Sequence, residues 1–423
     1  LPPGSSRTLS SRLKAVSFVT AACAVVAGSV LVDASPSSAR ARHVVAVSIT
    51  TVAGGGTTTA FADGAAGRSA ALGSPLSAVF DPHGNVVFAD QNNNVICVEA
   101  ASTGTWYGQS MTAGHIYTVV SAAAGLSDPN GVAVDAHGDL AITDTGNNTV
   151  DFVPTTSGTY YGISMTAGQM YPIANGVSNT IVDGGFVYSA GLNSPDGVAF
   201  DAQGDVVVAD TGNNVVRFIP ASTHIIFGRI VHPQAIYTIA GNTNFAYTGD
   251  GGPGPAAALS LQPFAGVAVD PSGNVVIADG GNSVVRLVAA SSGVFHQRAM
   301  TAGDIYTIAG DGNPGYKNNK KSIKGEMDTP QGLAVDAAGN ILVSDAVNND
   351  IRLIPARSGK YLGIRVKANG LYNIAGNGNT GYTGDGGPPK TAALNGPAGL
   401  SVDPFGRVLI ADNGNDVIRE IIG

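Results

Sequence analysis

A phrase of two dozen residues returns six times along this chain, and no other feature restricts the fold as much. The template is "GVAVDAHGDLAITDTGNNTVDFVP" at 131–154. It recurs as "GVAFDAQGDVVVADTGNNVVRFIP" at 197–220, "GVAVDPSGNVVIADGGNSVVRLV" at 266–288, "GLAVDAAGNILVSDAVNNDIRLIP" at 332–355 and "GLSVDPFGRVLIADNGNDVIREII" at 399–422. The loosest copy is "SAVFDPHGNVVFADQNNNVICVEA" at 77–100. Self-similarity at such a period marks supersecondary units that bury their apolar faces on one another.

The physics of one unit is readable. "GVAVD" is a short apolar run and reads as a buried strand. "DAHG" and "DPSG" are turns, in which Gly supplies a positive φ. "NVVIAD" is a second strand, and "TGNN" a turn whose Asn and Gly tolerate left-handed geometry. "VVRFIP" is a third strand ended by proline, and "IYTIAG" (236–241, 305–310) a fourth. Four antiparallel strands per unit, repeated radially, predict an all-β, six-bladed β-propeller. The last copy stops after its third strand. The missing fourth strand, "SITTVAG" at 48–54, stands at the other end of the chain. Its expected role is to complete the C-terminal blade and close the ring, which removes an open sheet edge.

"PDGVAFDAQGDVVVADTGNNVVRFI" (195–219), with "YTGDGGPGPAAALSLQP" (247–263), resembles the NHL repeat family of propellers. The resemblance runs over about residues 46–423 and implies the same six-bladed fold. It does not fix function, since the family holds protein binders, RNA binders, sensor domains and lyases. The lyases gather histidines at the first strands around the channel. Here His83 and His137 fall in turns, and His115, His232 and His296 in the loops before the fourth strands.

The N-terminus lies outside this plan. Arg7, Arg12 and Lys14 precede the apolar run 15–32, and "SSARA" offers a cut after Ala41. Residues 1–41 therefore read as a secretory signal peptide, or as a membrane anchor if uncut, with 42–423 as one propeller domain. The expected location is extracellular or at the cell surface, and the expected state a monomer. A formal charge of −8 argues against a nucleic-acid partner. After the cut Cys97 is the remaining cysteine, so no internal disulfide is expected.

In a six-fold repeat, a residue present in every copy is structural, and a ligand site must break the symmetry. The recurrent aspartates Asp90, Asp144, Asp210, Asp279, Asp345 and Asp412 are expected to cap their own turns rather than bind Ca²⁺. Arg217, Arg286, Arg352 and Arg419 are expected to pair with acids of neighbouring blades. The Asp of "TGDGGP" is expected to cap a short helix.

Symmetry breaks where each first strand begins. The residue after the proline is Leu76, Asn130, Asp196, Phe264, Gln331 or Ala398. Asn130, Asp196 and Gln331, with Asp128 nearby, are the candidate ligand-binding residues at the upper channel mouth. The second exception is "YKNNKKSIKGEMD" at 316–328. Its Lys317, Lys320, Lys321 and Lys324 form a candidate patch for an anionic partner on the upper face, the side expected to carry the "TGNN" turns and the long loops between blades. The third is a set of aromatics before the fourth strands: Trp106, Tyr107, Tyr160, Tyr161, Phe227, Phe295 and Tyr361. These are expected either to fold back over blade edges or to form a binding face.

The expected function is binding of a protein or glycan, with no catalytic residues and no cofactor assigned. The alternatives are a purely structural or sensor module and a Ca²⁺-type lyase or hydrolase using Asp128, Asn130 and Asp196.

Overall fold

The computed structural model describes residues 47–56, 63–176 and 181–423. The expected leader, its basic residues and its cut site lie outside the described residues. Residues Val45–Gly423 form one compact unit of six four-stranded antiparallel blades. Among the described residues the helical turns are all short 3-10 segments.

Blade 4 shows the plan. Its strands Val267–Val269, Val275–Asp279, Val284–Val288 and Asp304–Ala309 pair in sequence order, from the channel outward. The two middle strands are wholly buried, because the sheets of adjacent blades cover both their faces. The apolar clusters accordingly lie between blades: Val207, Phe218 and Ile239 of blade 3 pack with Val267, Val275 and Ile277 of blade 4.

Ring closure is as expected. Ser48–Gly54 pairs antiparallel with Val417–Ile422, Thr51 opposite Arg419, as the fourth strand of blade 6. Ile49 packs into the core shared with blade 5.

The first-strand glycines set how tightly the ring closes. A Cβ on Gly332 would lie 2.0 Å from the carbonyl oxygen of Ala398 in the next blade, and one on Gly197 would lie 2.4 Å from that of Ala265. Innermost strands thus meet backbone to backbone, and Gly266 donates its N–H to Gln331 across the seam at 2.9 Å. Where blade 1 has Ser77, the hydroxyl donates to the Val132 carbonyl at 3.2 Å.

The segments before five fourth strands are two-stranded hairpins, Gly104–Trp106 with Gln109–Met111 being the first. Tyr117, Tyr171, Tyr237, Tyr306 and Tyr372 of the following strands each accept, at the phenolic oxygen, the N–H five residues back, on the hairpin's return. In the closing strand Thr50 stands in this tyrosine's place. Tyr161 and Phe227 fold into the cores, and Trp106, Tyr107, Tyr160, Phe295 and Tyr361 pack against them. Of the two expectations for these aromatics, cover for the blade edges is the one the structure bears out. The exposed apolar tips are other residues, Ile225 and Val294 among them.

Candidate functional site

The recurrent aspartates do what local chemistry predicts, and one thing more. Asn213 donates to Asp210, Asn282 to Asp279 and Asn348 to Asp345, each across its own turn. The same carboxylates also accept the N–H of Asn193, Ser260 and Asp328, on the loops that lead into their blades. Each aspartate thereby ties its turn to the start of the first strand. The last residue of each turn is left-handed, Asn214 at φ 53° and Asn349 at φ 52°.

Two expectations are corrected here. The buried arginines pair with their own blade, not a neighbour: Arg352 meets Asp345 at 2.6 Å and Arg217 meets Asp210 at 3.5 Å. The register of two adjacent antiparallel strands puts these side chains on one face. The Asp of "TGDGGP" caps no helix. Asp250 accepts the N–H of Thr307, and Asp385 that of Thr51 at 3.0 Å while pairing with Arg419 at 2.6 Å. The loop between blades therefore runs along the outer edge of the next blade. Gly252–Pro253 even pairs as a fifth strand with Asp304–Ala309. Tyr247, Tyr316 and Tyr382 of these loops lie over the guanidinium groups of Arg286, Arg352 and Arg419.

The same path relocates the lysines. They lie on the outer perimeter of the ring, not its upper face. Lys317 is paired with Glu326 at 3.0 Å. Lys320 and Lys321 line a cavity of about 420 Å³ with His296, Arg298 and Asn369. Lys324 ends the short helical turn Ser322–Lys324.

At the channel mouth, Asn130 donates to Asp196 at 2.6 Å and accepts from Gln91 at 2.9 Å. Asp196 is buried, and burial pushes its carboxyl up to about 6 against bonds from Thr211, Asn130 and the Ala265 amide. Gln331 stands half-exposed in the equivalent place in blade 5, its carbonyl accepting from Gly266. Asp128 is exposed before Pro129, and its N–H is held by Asn94 at 2.7 Å. In blade 4 an extra residue follows the proline, so Ala265, and not Phe264, faces the seam: its carbonyl takes Gly197. The mouth is thus polar at Asn130, Asp196 and Gln331 and apolar at Leu76, Ala265 and Ala398.

The largest break in symmetry lies elsewhere, on the upper face over the outer strands of blade 5. A cavity of about 590 Å³ is lined by Tyr316, Asn318, Val347, Asn348, Asp350, Asn373 and the 376–379 loop, with Lys390 at its rim. Four of these depart from the other blades. Asp350 opens a third strand that begins with Val in blades 1, 3, 4 and 6. Asn373 stands where blades 1, 3, 4 and 6 have Thr118, Thr238, Thr307 and Thr51. Asn318 replaces the loop aspartate, accepting from Asn373 N–H at 3.0 Å and from Arg352 at 3.1 Å. Val347 replaces the glycine of "TGNN" and is exposed.

The substitutions remove a bond that blades 4 and 6 keep. Thr307 meets the Tyr247 hydroxyl at 2.8 Å and Thr51 that of Tyr382 at 2.7 Å, whereas Asn373 turns its amide to the Gly376 carbonyl at 3.1 Å. Asp350 Oδ1 and Asn373 Oδ1 are buried with no hydrogen-bond partner among the described residues. Burial pushes the Asp350 carboxyl above its ordinary range, against the pull of Asn373, Arg352 and Tyr316. Acceptors kept dry and unpaired are costly unless a ligand completes them. In the sequence the signal is "AVNND" against "TGNNV", and "YNIAG" against "YTIAG", legible once the turn and fourth-strand columns are aligned.

Comparison with known proteins agrees with the fold. The NHL repeat family matches residues 126–150 and 192–217. No curated protein matches the sequence. Among solved structures, a Bacteroides thetaiotaomicron protein of unknown function superposes with a TM-score of 0.61 at 14% identity, over 89% of this chain and 76% of its own. Two structures described as auxiliary nutrient binding proteins have TM-scores of 0.55. One is from B. thetaiotaomicron, at 16% identity over 88% of this chain and 76% of its own. The other is from B. ovatus, at 13% identity over 89% and 76%. With its matched repeats set in six blades of one plan, this chain is an NHL-repeat β-propeller.

Proposed function

We propose that this propeller is an extracellular binding module for a neutral glycan, held in the upper-face cavity of blade 5. The observation that carries this reading is the pair of buried acceptors, Asp350 Oδ1 and Asn373 Oδ1, in a cavity lined by amide side chains. Sugar hydroxyls are donors and acceptors at once. A wall of Asn side chains offers both roles, the unpaired oxygens take hydroxyl donors, and Tyr316 and Val347 supply apolar surface for a sugar ring. The volume suits an oligosaccharide of a few residues. That two propellers of this architecture are described as nutrient binding proteins fits a binding role. The leader-like N-terminus fits an extracellular one.

The polar mouth at Asp128, Asn130, Asp196 and Gln331 serves in this reading as a second contact for a longer ligand or a partner protein. The test is a glycan array followed by calorimetry on the full chain. Asn373→Thr and Asp350→Val return blade 5 to the residues its siblings carry, so the fold is kept. Each variant is expected to lower affinity at least tenfold. Unchanged affinity in both, or loss of binding only on substituting Asn130 and Gln331, would move the site to the mouth.

A further inference from the structure

A second break in symmetry lies on the outer perimeter, in the groove between the hairpins of neighbouring blades. Between blades 1 and 2 this groove holds about 200 Å³ and is lined by Tyr107, Gly108, Val119, Thr155, Ala167 and Gly168, none of them charged. Between blades 4 and 5 the same place in the repeat holds about 420 Å³. There His296 takes the position of Tyr107, Gln297 that of Gly108, Ile308 that of Val119 and Asn369 that of Gly168. The longer loop between blades adds Lys320, Lys321 and Ile323 to the lining.

The walls are tied to one another. Asn369 donates to the His296 carbonyl at 2.6 Å and accepts from His296 Nδ1 at 3.3 Å, which bridges the two hairpins. The Ser322 N–H donates to the Asn369 carbonyl at 2.6 Å, and the Ser322 hydroxyl to that of Ile308. The cavity is therefore formed before any ligand arrives.

Its charge is one-sided. Arg298, Lys320 and Lys321 line it, and none of its lining residues is Asp or Glu. Arg298 is held by Asp250 at 3.3 Å and lies over the Tyr306 ring. Lys317 has Glu326, but Lys320 and Lys321 are exposed and stand in no ion pair among the described residues. On a chain of formal charge −8 this is a local positive field. Apolar surface accompanies it: Met300 and Ile308 are buried in the lining, and Ile323 is left 46% exposed.

We propose that this cavity binds a small amphiphilic anion, its carboxylate or phosphate group on Lys320 and Lys321 and its aliphatic body against Met300, Ile308 and Ile323. A bare anion would gain only exposed ion pairs, which are weak in water. A neutral alcohol would gain only the apolar contact. The combination sets the selectivity, because apolar surroundings strengthen the contacts of the ammonium groups. The cavity of the glycan reading shares none of these residues, so the two stand independently.

The experiment is calorimetric titration of the full chain with octanoate, octyl phosphate, octan-1-ol and acetate. One equivalent of octanoate or of octyl phosphate is expected to bind, and the tighter of the two identifies the head group. Octan-1-ol and acetate should bind about tenfold more weakly or less. Lys320→Gln combined with Lys321→Gln changes two exposed side chains, so the fold is kept. It should weaken binding of the anion about tenfold and reduce its dependence on salt. Asn369→Gly restores the residue of blades 1, 2 and 4, frees His296 and should weaken binding by a smaller factor. Asp350→Val should leave it unchanged. Failure of both octyl anions to bind, equal affinity in the lysine variant, or loss of binding in Asp350→Val would overturn the site.

Discussion

Blades 4 and 5 share one strand plan, one buried arginine and one tyrosine over it, yet differ in what they leave unfinished. In blade 4, Val284 fills the start of the third strand, Thr307 closes on Tyr247, and Asp250 holds the strand edge. Thr307, Tyr247 and Asp250 each have a partner within the repeat. Blade 5 puts Asp350, Asn373 and Asn318 in the same column and leaves two acceptors dry. A repeat protein can carry such a defect because each blade leans on two neighbours, so local cost is spread over the ring. The comparison locates the candidate site without any bound ligand.

The largest effect on this comparison comes from removing the frame that both blades share. Gly332→Val puts a Cβ against the Ala398 carbonyl, where no flexible group can yield, and is expected to prevent formation of the folded propeller. Loss of the cooperative melt by circular dichroism checks it. The next largest effect comes from building the defect of blade 5 into blade 4. Val284→Asp places a carboxylate in a fully buried position and should cost ~3 kcal/mol or more in urea unfolding.

The reverse change sharpens the comparison. Asp350→Val should raise stability by ~1 kcal/mol while lowering glycan affinity. Its pH dependence is set by sign. The Asp350 carboxyl is raised in the fold, so the unfolded chain gives up its proton first. Stability of the unsubstituted chain is therefore present at low pH and lost as pH rises through the carboxylate range, and the variant lacks this loss. Unfolding midpoints from pH 3 to 7 test it. The smallest effect is Tyr306→Phe against Tyr372→Phe. Each removes one hydroxyl acceptor from a hairpin N–H and should cost ~1 kcal/mol, equally in the two blades.

Much of the fold was legible because its causes are local. The four-strand period, the Asn and Gly turns and the unpaired "SITTVAG" fix blade count and closure from the sequence alone. The candidate site was legible only in part. Asn130 and Asp196 do meet, since both sit next to the seam glycines of adjacent blades. The blade 5 cavity draws on residues from 316 to 390 that meet only when a loop between blades crosses the next blade's outer edge. The path of that loop also explains why the lysines lie on the perimeter and why Asp385 serves Thr51 and not a helix.

By itself, then, the sequence determined the strands, their number per blade and the closing of the ring, because periodicity and turn chemistry are properties of neighbouring residues. Tertiary structure alone decided which arginine meets which aspartate, where the loops run and which acceptors stay unpaired. Those outcomes depend on which groups compete for the same partner in three dimensions, and in the blade 5 column two acceptors find no partner among the described residues.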